Sequence, residues 1–142
     1  AHCVREIERG AAKAGKSLNK VDVAGFVTAA VSNDRREAIE ANKMFLAYIF
    51  RNVHHAENIR LGGGRVDQEG LAAAVSKRDW SSAKKFISDE VVHAHSVAGT
   101  PDDCRAQLES FVKGGLNLPI LLPTGTQDGR KQVVRMAREL VS

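Results

Sequence analysis

Apolar and polar positions along the chain predict helices that alternate with short, apolar strands. A run from Val21 to Val31 is rich in Val, Ala and Thr, and a second apolar run covers residues 118–122. Because the second run contains no charge, we expect a strand buried on both faces, as in a parallel sheet. A third strand follows if residues 91–98 are extended. The pattern predicts an α/β chain, rich in helix, with two or three parallel strands.

Apolar residues at helical spacing, together with helix-ending glycines, account for most of the remaining chain. A cluster at Ser32-Asn33-Asp34 is expected to cap the longest of the helices. The last helix has an apolar side made of Val133, Val134, Ala137, Leu140 and Val141. The expected helices cover residues 2–14, 34–53, 67–76, 81–87, 101–113 and 130–141.

The best-defined helix start in the sequence lies at Thr100. Its hydroxyl is expected to accept hydrogen bonds from the amides two and three residues further on. Pro101 occupies the first helical position, where its missing N–H has no cost. Asp102 and Asp103 place negative charge in the first turn, which the helix dipole favours. The helix ends at Gly114-Gly115, and the apolar strand after it completes a compact αβ unit.

This unit and its surroundings resemble the carboxyl-terminal end of the luciferase-like oxidoreductases. The resemblance rests on the segment SVAGTPDDCRAQLESFVKGGLNLPILLPTGTQDGRKQVVRMARELVS. The family includes flavin monooxygenases of the bacterial luciferase type and coenzyme F-420-dependent methylenetetrahydromethanopterin reductases. The segment is more similar to the reductases, whose last barrel strand precedes a Pro/Gly-rich loop (here 123–129) and a closing helix (here 130–141). The resemblance implies hydride transfer or monooxygenation on a small organic substrate, with F-420 or FMN as the cofactor.

The length of the chain limits how much of such an enzyme it contains. A (β/α)8 TIM barrel needs about 250 residues, whereas this chain has 142. The resemblance therefore implies one carboxyl-terminal portion of a TIM barrel, beginning inside the sixth helix. We expect a helix-strand-helix segment over 1–60, a helical insertion over 61–95, and a helix, the last barrel strand and the closing helix over 96–142. Since two parallel strands do not form a stable sheet alone, we expect an incomplete chain or a homo-oligomer.

The residues after the last expected strand are the best candidates for a binding site. Pro123, Thr124 and Gly125 follow the carboxyl end of that strand, which is the edge where TIM barrels build their active sites. A glycine turn with a hydroxyl can approach a ring or a phosphate closely. We predict that these three residues contact the cofactor. No catalytic residue is assigned, because the family's bulged strand and phosphate loop have no counterpart in this sequence, and the chain alone is expected to be inactive.

Three other motifs have simpler explanations than catalysis. The run Gly62–Gly64 lacks the preceding strand and following Lys-Ser/Thr of a phosphate loop, so it is interpreted as a hinge. His93 and His95 share a face only in a strand, and since no ligand spacing repeats we predict no metal site. Arg60 and Arg65 flank the glycines, and both a surface role and a contact with an anion stay open.

Composition excludes several further classes of protein. The net charge of +4 comes from acidic and basic residues mixed along the helices, which disfavours a nucleic-acid partner. No apolar run approaches the roughly 20 residues of a membrane span. Cys3 and Cys104 are far apart, so we expect no disulfide and a location in the reducing cytoplasm. The alternatives to an oxidoreductase are a non-enzymatic, α-rich, homo-oligomerising module and a weak nucleic-acid binder.

Overall fold

Three parallel strands form one sheet that carries helices on both faces. The structure is a computed structural model that describes residues 2–141, with side chains at all of these positions except 20, 140 and 141. The strands are β1 (Ala24–Val31), β2 (Ser96–Gly99) and β3 (Leu118–Pro123). The helices are α1 (His2–Lys13), α2 (Arg35–Phe50), α3 (Ala56–Leu61), α4 (Gln68–Ser76), α5 (Trp80–Lys85), α6 (Asp89–His95), α7 (Pro101–Lys113) and α8 (Gln127–Val141).

The central strand of the sheet is β1, and the strand order is β2-β1-β3. Ala24 is paired with Leu118 at the start of β3, whereas β2 pairs only with the second half of β1, from Thr28 onwards. In a run of consecutive barrel strands each strand would lie beside the one before it, which would place β2 in the centre. Here α7 connects β2 to β3, which lie on opposite sides of β1, so this connection passes over β1. As a result, helices occupy both faces of the sheet.

Two apolar clusters, one on each face, bury β2 and residues 27–31 of β1. Because side chains alternate between faces along a strand, Ala30 and Ala98 face one layer and Ala29 and Val97 face the other. The first layer is formed by α2 to α6, and its buried residues include Ala38, Leu46, Ala47, Ile59, Leu71, Ala83, Val91 and Val92. The second consists of α7 and α8, which contribute Cys104, Val133 and Met136.

The expectation that β3 is buried on both faces is wrong for this chain. Its side chains alternate between exposed and half-buried, and Leu118, Ile120 and Leu122 are exposed. The register places them on the same face as Phe26 of β1, which is 79% exposed. Within residues 2–141 no helix layer covers this part of the face. The uninterrupted apolar sequence of β3 therefore gives an open apolar surface, here called the open sheet face.

Each outer edge of the sheet is protected from further strand pairing in a different way. At β2 the side chain of Gln107 bonds to the backbone of Ala98, accepting from its N–H at 3.0 Å and donating to its carbonyl at 2.9 Å. At β3 the amides of Leu118 and Thr124 donate to the β1 side. Since successive amides alternate in direction, residues 119, 121 and 123 face the free edge. Two of these are prolines, which have no N–H.

Several expected boundaries are confirmed and others shift. The side chain of Asp34 caps α2 as predicted, and Thr100 and Asp103 form a reciprocal capping box at α7. The strand expected from Val21 begins only at Ala24, after a short 3-10 turn. Residues 91–98 are not one extended segment, because α6 continues to His95 before β2 begins. The division into 1–60, 61–95 and 96–142 stays a prediction.

The last helix differs from its prediction in its start and in one apolar position. It begins at Gln127, three residues before the expected start. Val133 is buried as expected, but Val134 is 47% exposed, because it points away from the sheet on another side of α8. The expected apolar contacts of Leu140 and Val141 lie outside the described side chains.

The thiol of Cys104 lies deep in the second cluster. Its Sγ is 3.6 Å from the carbonyl oxygens of Ala30 and Gly99, and burial raises the pKa of the thiol from 9.0 to about 12. Cys3 is exposed. In the folded protein the two cysteines therefore differ in reactivity, because the thiolate is the reactive form.

We expect a thiol reagent at neutral pH to label Cys3 rapidly and Cys104 only after unfolding. The raised pKa of Cys104 also implies stability that is fully present below pH 9.0 and is lost as the pH rises towards about 12. Mass spectrometry of the labelled protein and chemical unfolding at several alkaline pH values measure both effects. The Cys104→Ala variant is the control, and it should lose this part of the alkaline destabilisation. Equal labelling rates for both thiols in the folded protein would contradict the prediction.

Candidate functional site

A cavity of about 890 Å³ lies at the carboxyl ends of β1 and β3. The chain leaves β1 at Ser32 and β3 at Pro123, and both segments form one side of the cavity. Opposite them lies α2, with Trp80 and Lys84 of α5 beside it. Parallel strands bring their carboxyl ends to one edge, and ligands of open α/β sheets bind outside this edge.

The structure brings the predicted residues Pro123, Thr124 and Gly125 together in the wall of this cavity. Gly125 has a φ of +83°, in the left-handed region that favours glycine. A Cβ at this position would lie 3.3 Å from the Cβ of Ala41, so glycine also allows the turn to approach α2 closely. Contact of these residues with a cofactor stays a prediction.

The hydroxyl of Thr124 is engaged within the protein. It donates to Oδ1 of Asn42 at 2.5 Å, and the backbone N–H of Thr124 donates to the carbonyl of Ala29 at 2.9 Å. The residue is 8% exposed. Thr124 therefore fixes the end of β3 against β1 and α2. Its side chain holds this part of the cavity wall in place.

The amide of Asn42 connects α2 to the other strands as well. This residue is fully buried, and its Nδ2 donates to Ser96 Oγ and to the carbonyl of Val97, both at 3.0 Å. Ser96 Oγ in turn donates to the carbonyl of Val92 at 2.6 Å. Buried polar groups are costly unless they are paired, and here each polar atom of the Asn42 side chain has a partner. We refer to Asn42, Ser96 and Thr124 as the polar triad.

Asn42 was not predicted as a site residue, because asparagine within an amphipathic helix usually faces solvent. One signal was available. Ala38, Asn42 and Leu46 are spaced by four residues, so Asn42 lies on the same side of α2 as two buried apolar residues. A polar residue at the centre of an apolar helix face indicates a buried hydrogen-bond network.

A network of ion pairs lies behind the cavity between α2, α5 and α6. Glu40 accepts from Lys84 at 3.0 Å and lies 3.2 Å from Lys43, which is itself 2.6 Å from Asp89. Burial opposes ionisation of Glu40, but the hydrogen bonds from Lys84 and Lys43 outweigh it, so the pKa of Glu40 lies below its ordinary value. Glu40 and Lys84 both line the cavity, and their charges are thereby held in place.

Two further polar groups lie on the cavity side of the sheet. Ser32 Oγ donates to Glu37 at 2.5 Å, at the carboxyl end of β1. Thr28 points to the same face as Ala30, and its buried Oγ1 has no hydrogen-bond partner among the described residues. A buried hydroxyl without a partner in a native protein is uncommon. Oγ1 of Thr28 is therefore a buried polar atom that the described residues leave unsatisfied.

The remaining sequence candidates lie away from the cavity. The glycines Gly62–Gly64 form the end of α3, where Gly62 packs so closely on His95 that a Cβ would lie 2.5 Å from its Nε2. His93 and His95 both belong to α6 and therefore do not share a face. Arg60 pairs with Glu57 at 2.6 Å. Residues 2–141 hold no cluster of three possible metal ligands, and no helix within them combines the length and hydrophobicity of a membrane span.

Comparison with known proteins identifies the class to which this arrangement belongs. Parallel strands, covering helices and a cavity at the carboxyl edge are the elements of an α/β barrel enzyme. The family profile described as luciferase-like monooxygenase matches residues 1–118. The chain therefore belongs to the luciferase-like monooxygenase family, as the sequence resemblance predicted.

Two relatives that match nearly the whole chain are reductases. The 5,10-methylenetetrahydromethanopterin reductase of Methanopyrus kandleri is 29% identical over 138 residues, which cover 97% of this chain and 40% of the relative. The corresponding reductase of Archaeoglobus fulgidus is 27% identical, over 95% of this chain and 42% of its own length.

A solved structure confirms the fold. The coenzyme F420-dependent tetrahydromethanopterin reductase of Methanopyrus kandleri superposes with a TM-score of 0.77 and 29% identity, over 92% of this chain and 38% of the reductase. The prediction of a helix-rich portion of a TIM barrel is thus confirmed, and the chain spans about 40% of the length of its relatives.

We expect Asn42→Ala to lower the free energy of unfolding by about 2–4 kcal/mol, because the substitution removes the buried hydrogen bonds that this side chain makes with Ser96, Val97 and Thr124 and leaves a cavity in their place. Urea unfolding monitored by circular dichroism measures the change. Asn58→Ala, at an exposed position of α3, is the matched control and should stay within about 0.5 kcal/mol of the parent. Equal stabilities of the two variants would show that the polar triad does not hold the strand ends together.

Proposed function

We propose that this chain is the carboxyl-terminal part of an F-420-dependent oxidoreductase that transfers hydride to a small organic substrate. The observation that carries the proposal is the cavity at the carboxyl edge of β1 and β3, in a chain whose fold matches a coenzyme F420-dependent reductase. Family membership alone does not choose between reduction and monooxygenation, or between F-420 and FMN. The reductase relatives favour F-420 and reduction.

The chemistry of the cavity suits a flat cofactor ring. Apolar side chains of Met44, Tyr48 and Trp80 line the cavity on the helix side, and Leu122 and Pro123 on the strand side. The turn at Gly125 leaves free the space that a side chain would fill. When bound, F-420 supplies the hydride, and the protein supplies orientation and electrostatics.

The chain's own residues would hold and shield such a ring. Pro123 and Gly125 would contact it from the strand side, as the sequence predicted. The wall of α2 and α5 would exclude water, which strengthens electrostatic interactions within the site. Nε of Arg130 donates to the carbonyl of Gly125 at 3.2 Å and thus supports the shape of the turn. Arg130 would provide positive charge for an anionic group of the ligand, whereas the charge of Lys84 is balanced by Glu40.

The other side of the site would come from the rest of a barrel. The open sheet face, formed by Phe26, Leu118, Ile120 and Leu122, is the surface that additional strands and their side chains would cover. We infer that the 142-residue chain alone is inactive for this reason. A homo-oligomer is the second candidate for covering this face, and sedimentation of the isolated chain distinguishes a monomer from an assembly. Location in the cytoplasm stays a prediction.

The proposed function is tested with the protein at its natural length, supplied with reduced F-420 and methylenetetrahydromethanopterin. We expect oxidised F-420 to form, and we expect no turnover with the isolated 142-residue chain. Stoichiometric binding of F-420 to the isolated chain would contradict its proposed inactivity. Turnover with FMN and oxygen in place of F-420 would move the protein to the monooxygenase branch.

We expect Gly125→Val to weaken F-420 binding roughly tenfold or more, because the new side chain must displace α2 or enter the cavity. Gly63→Val is a matched control. Gly63 has a similar φ of +80°, but a Cβ there meets no atom within 4 Å, so only the backbone strain is shared. Fluorescence titration of the natural-length variants measures binding. Equal losses in both variants would place Gly125 outside the cofactor site.

A further inference from the structure

The ring of His95, the last residue of α6, lies in a contact that is separate from the cavity. It packs edge-to-face with Phe50, the last residue of α2, at a centroid distance of 5.0 Å. Its Nε2 is buried and has no hydrogen-bond partner among the described residues. Gly62 lies so close that a Cβ there would be 2.5 Å from Nε2. The His95 ring is therefore enclosed between the ends of α2 and α3.

The end of α3 provides no acceptor for a proton on Nε2. The amides of Gly62, Gly63 and Gly64 donate to the carbonyls of residues 58, 60 and 59, each at 3.0 Å. Nε2 of His95 bonds to none of these carbonyls. A protonated imidazole in this place would be a buried positive charge without a partner, which is costly. The close contact with Gly62 therefore requires a neutral ring.

The titratable groups that face the ring from other elements do not offset such a charge. His55, in the 3-10 turn Val53–His55, packs on the same Phe50 ring at 5.8 Å. Cys3 of α1 lines a small cavity of about 450 Å³ together with His95. Burial lowers the pKa of His95, and the charge of His55 lowers it further. Both effects favour the neutral ring.

The charged side chains on the elements around His95 are engaged in other interactions. On α3, Glu57 and Arg60 pair at 2.6 Å. Arg51, which follows α2, lies over an aromatic ring of that helix. On α6 itself, Asp89 pairs with Lys43 at 2.6 Å. None of these groups is therefore placed to receive a proton from Nε2.

All histidines of the sequence belong to elements next to α3. They lie on α1, on α6 and in the turn before α3, and they are His2, His54, His55, His93 and His95. His2 interacts with Glu57, and His93 with Glu90. A fall in pH makes the surroundings of α3 more positive. His95 is the member of this group whose ring is enclosed against α3 itself.

The segment that carries α3 can open locally. Gln68 donates to the carbonyls of Phe50 and Asn52, both at 2.8 Å, and so holds the end of α2. After α3, Gly63 has a φ of +80°, and no atom lies within 4 Å of a Cβ there. The helix has six residues and contributes one buried side chain. Residues 53–64 thus lie between a fixed point and a glycine hinge, and segments with few buried contacts open at low cost.

We propose that His95 forms a pH-sensitive contact: the neutral ring holds residues 53–64 against α6, and protonation releases this segment at its glycine hinge. The ring takes up a proton more readily in the released state. The closed state is therefore fully stabilised above the ordinary histidine pKa of 6.5 and loses this stabilisation as the pH falls below it. Release would uncover Phe50, at the end of the helix that forms one wall of the cavity.

Hydrogen–deuterium exchange of the natural-length protein, at about pH 7.5 and about pH 5, tests the proposal. Protection factors are compared, because the intrinsic exchange rate itself changes with pH. We expect the protection of residues 53–64 to fall roughly fivefold or more at the lower pH, while β1 and β2 keep theirs. Unchanged protection of this segment would overturn the proposal, and so would an equal loss throughout the chain.

The His95→Gln variant keeps a polar side chain but removes the titration. The protection of residues 53–64 should then be the same at both pH values. His93→Gln, at an exposed position of the same helix, is the matched control and should respond to pH like the parent. A pH response that persists in H95Q would assign the effect to another histidine and refute the role of His95.

Gly62→Ala tests the same contact without a change at His95. The φ of −76° at this position allows alanine, but the new Cβ would meet Nε2 at 2.5 Å. We expect this variant to lose protection over residues 53–64 already at neutral pH. Gly10→Ala in α1, where a Cβ meets no atom within 4 Å, is the control and should keep the parent values. Full protection in G62A would show that the His95 contact does not hold the segment.

Discussion

The buried amide of Asn42 is the interaction on which the arrangement of the sheet ends depends. A single side chain on α2 binds the segment after β3 through Thr124 and the start of β2 through Ser96 and Val97. Thr124 then bonds to β1. These bonds hold three strand ends at fixed distances, and the cavity is the space that they leave at the carboxyl edge. Since a buried amide tolerates few alternative geometries, the network specifies one position for α2 and therefore one cavity wall.

A second constraint is the difference between the two outer strands of the sheet. The backbone of β2 is hydrogen-bonded at its outer edge, whereas β3 leaves apolar side chains exposed. Gln107 completes the backbone hydrogen bonding of Ala98 at the outer edge of β2, so this edge needs no neighbour. At β3, in contrast, apolar side chains remain exposed on one face of the sheet. This asymmetry fits a chain that supplies one end of a larger α/β structure.

Local sequence signals were sufficient for most elements of the fold. The cap at Asp34, the capping box at Thr100 and the apolar run of β3 each depend on neighbouring residues, and the structure contains all three. The predicted site residues Pro123, Thr124 and Gly125 line the cavity because the end of a parallel strand fixes their place. Three features depend on contacts between distant residues and were not predictable from local pattern. They are the partners of Asn42, the outward position of Val134 and the exposure of β3.

The prolines of β3 have a consequence for the behaviour of the chain before the open sheet face is covered. An apolar strand with a free edge usually recruits other copies through backbone ladders, which leads to cross-β aggregation. Here residues 119 and 123 interrupt that ladder while leaving the carbonyl groups and side chains in place. A strand from another copy could therefore form few backbone hydrogen bonds at this edge. The two prolines thus make β3 a poor template for cross-β pairing, although its side chains are apolar.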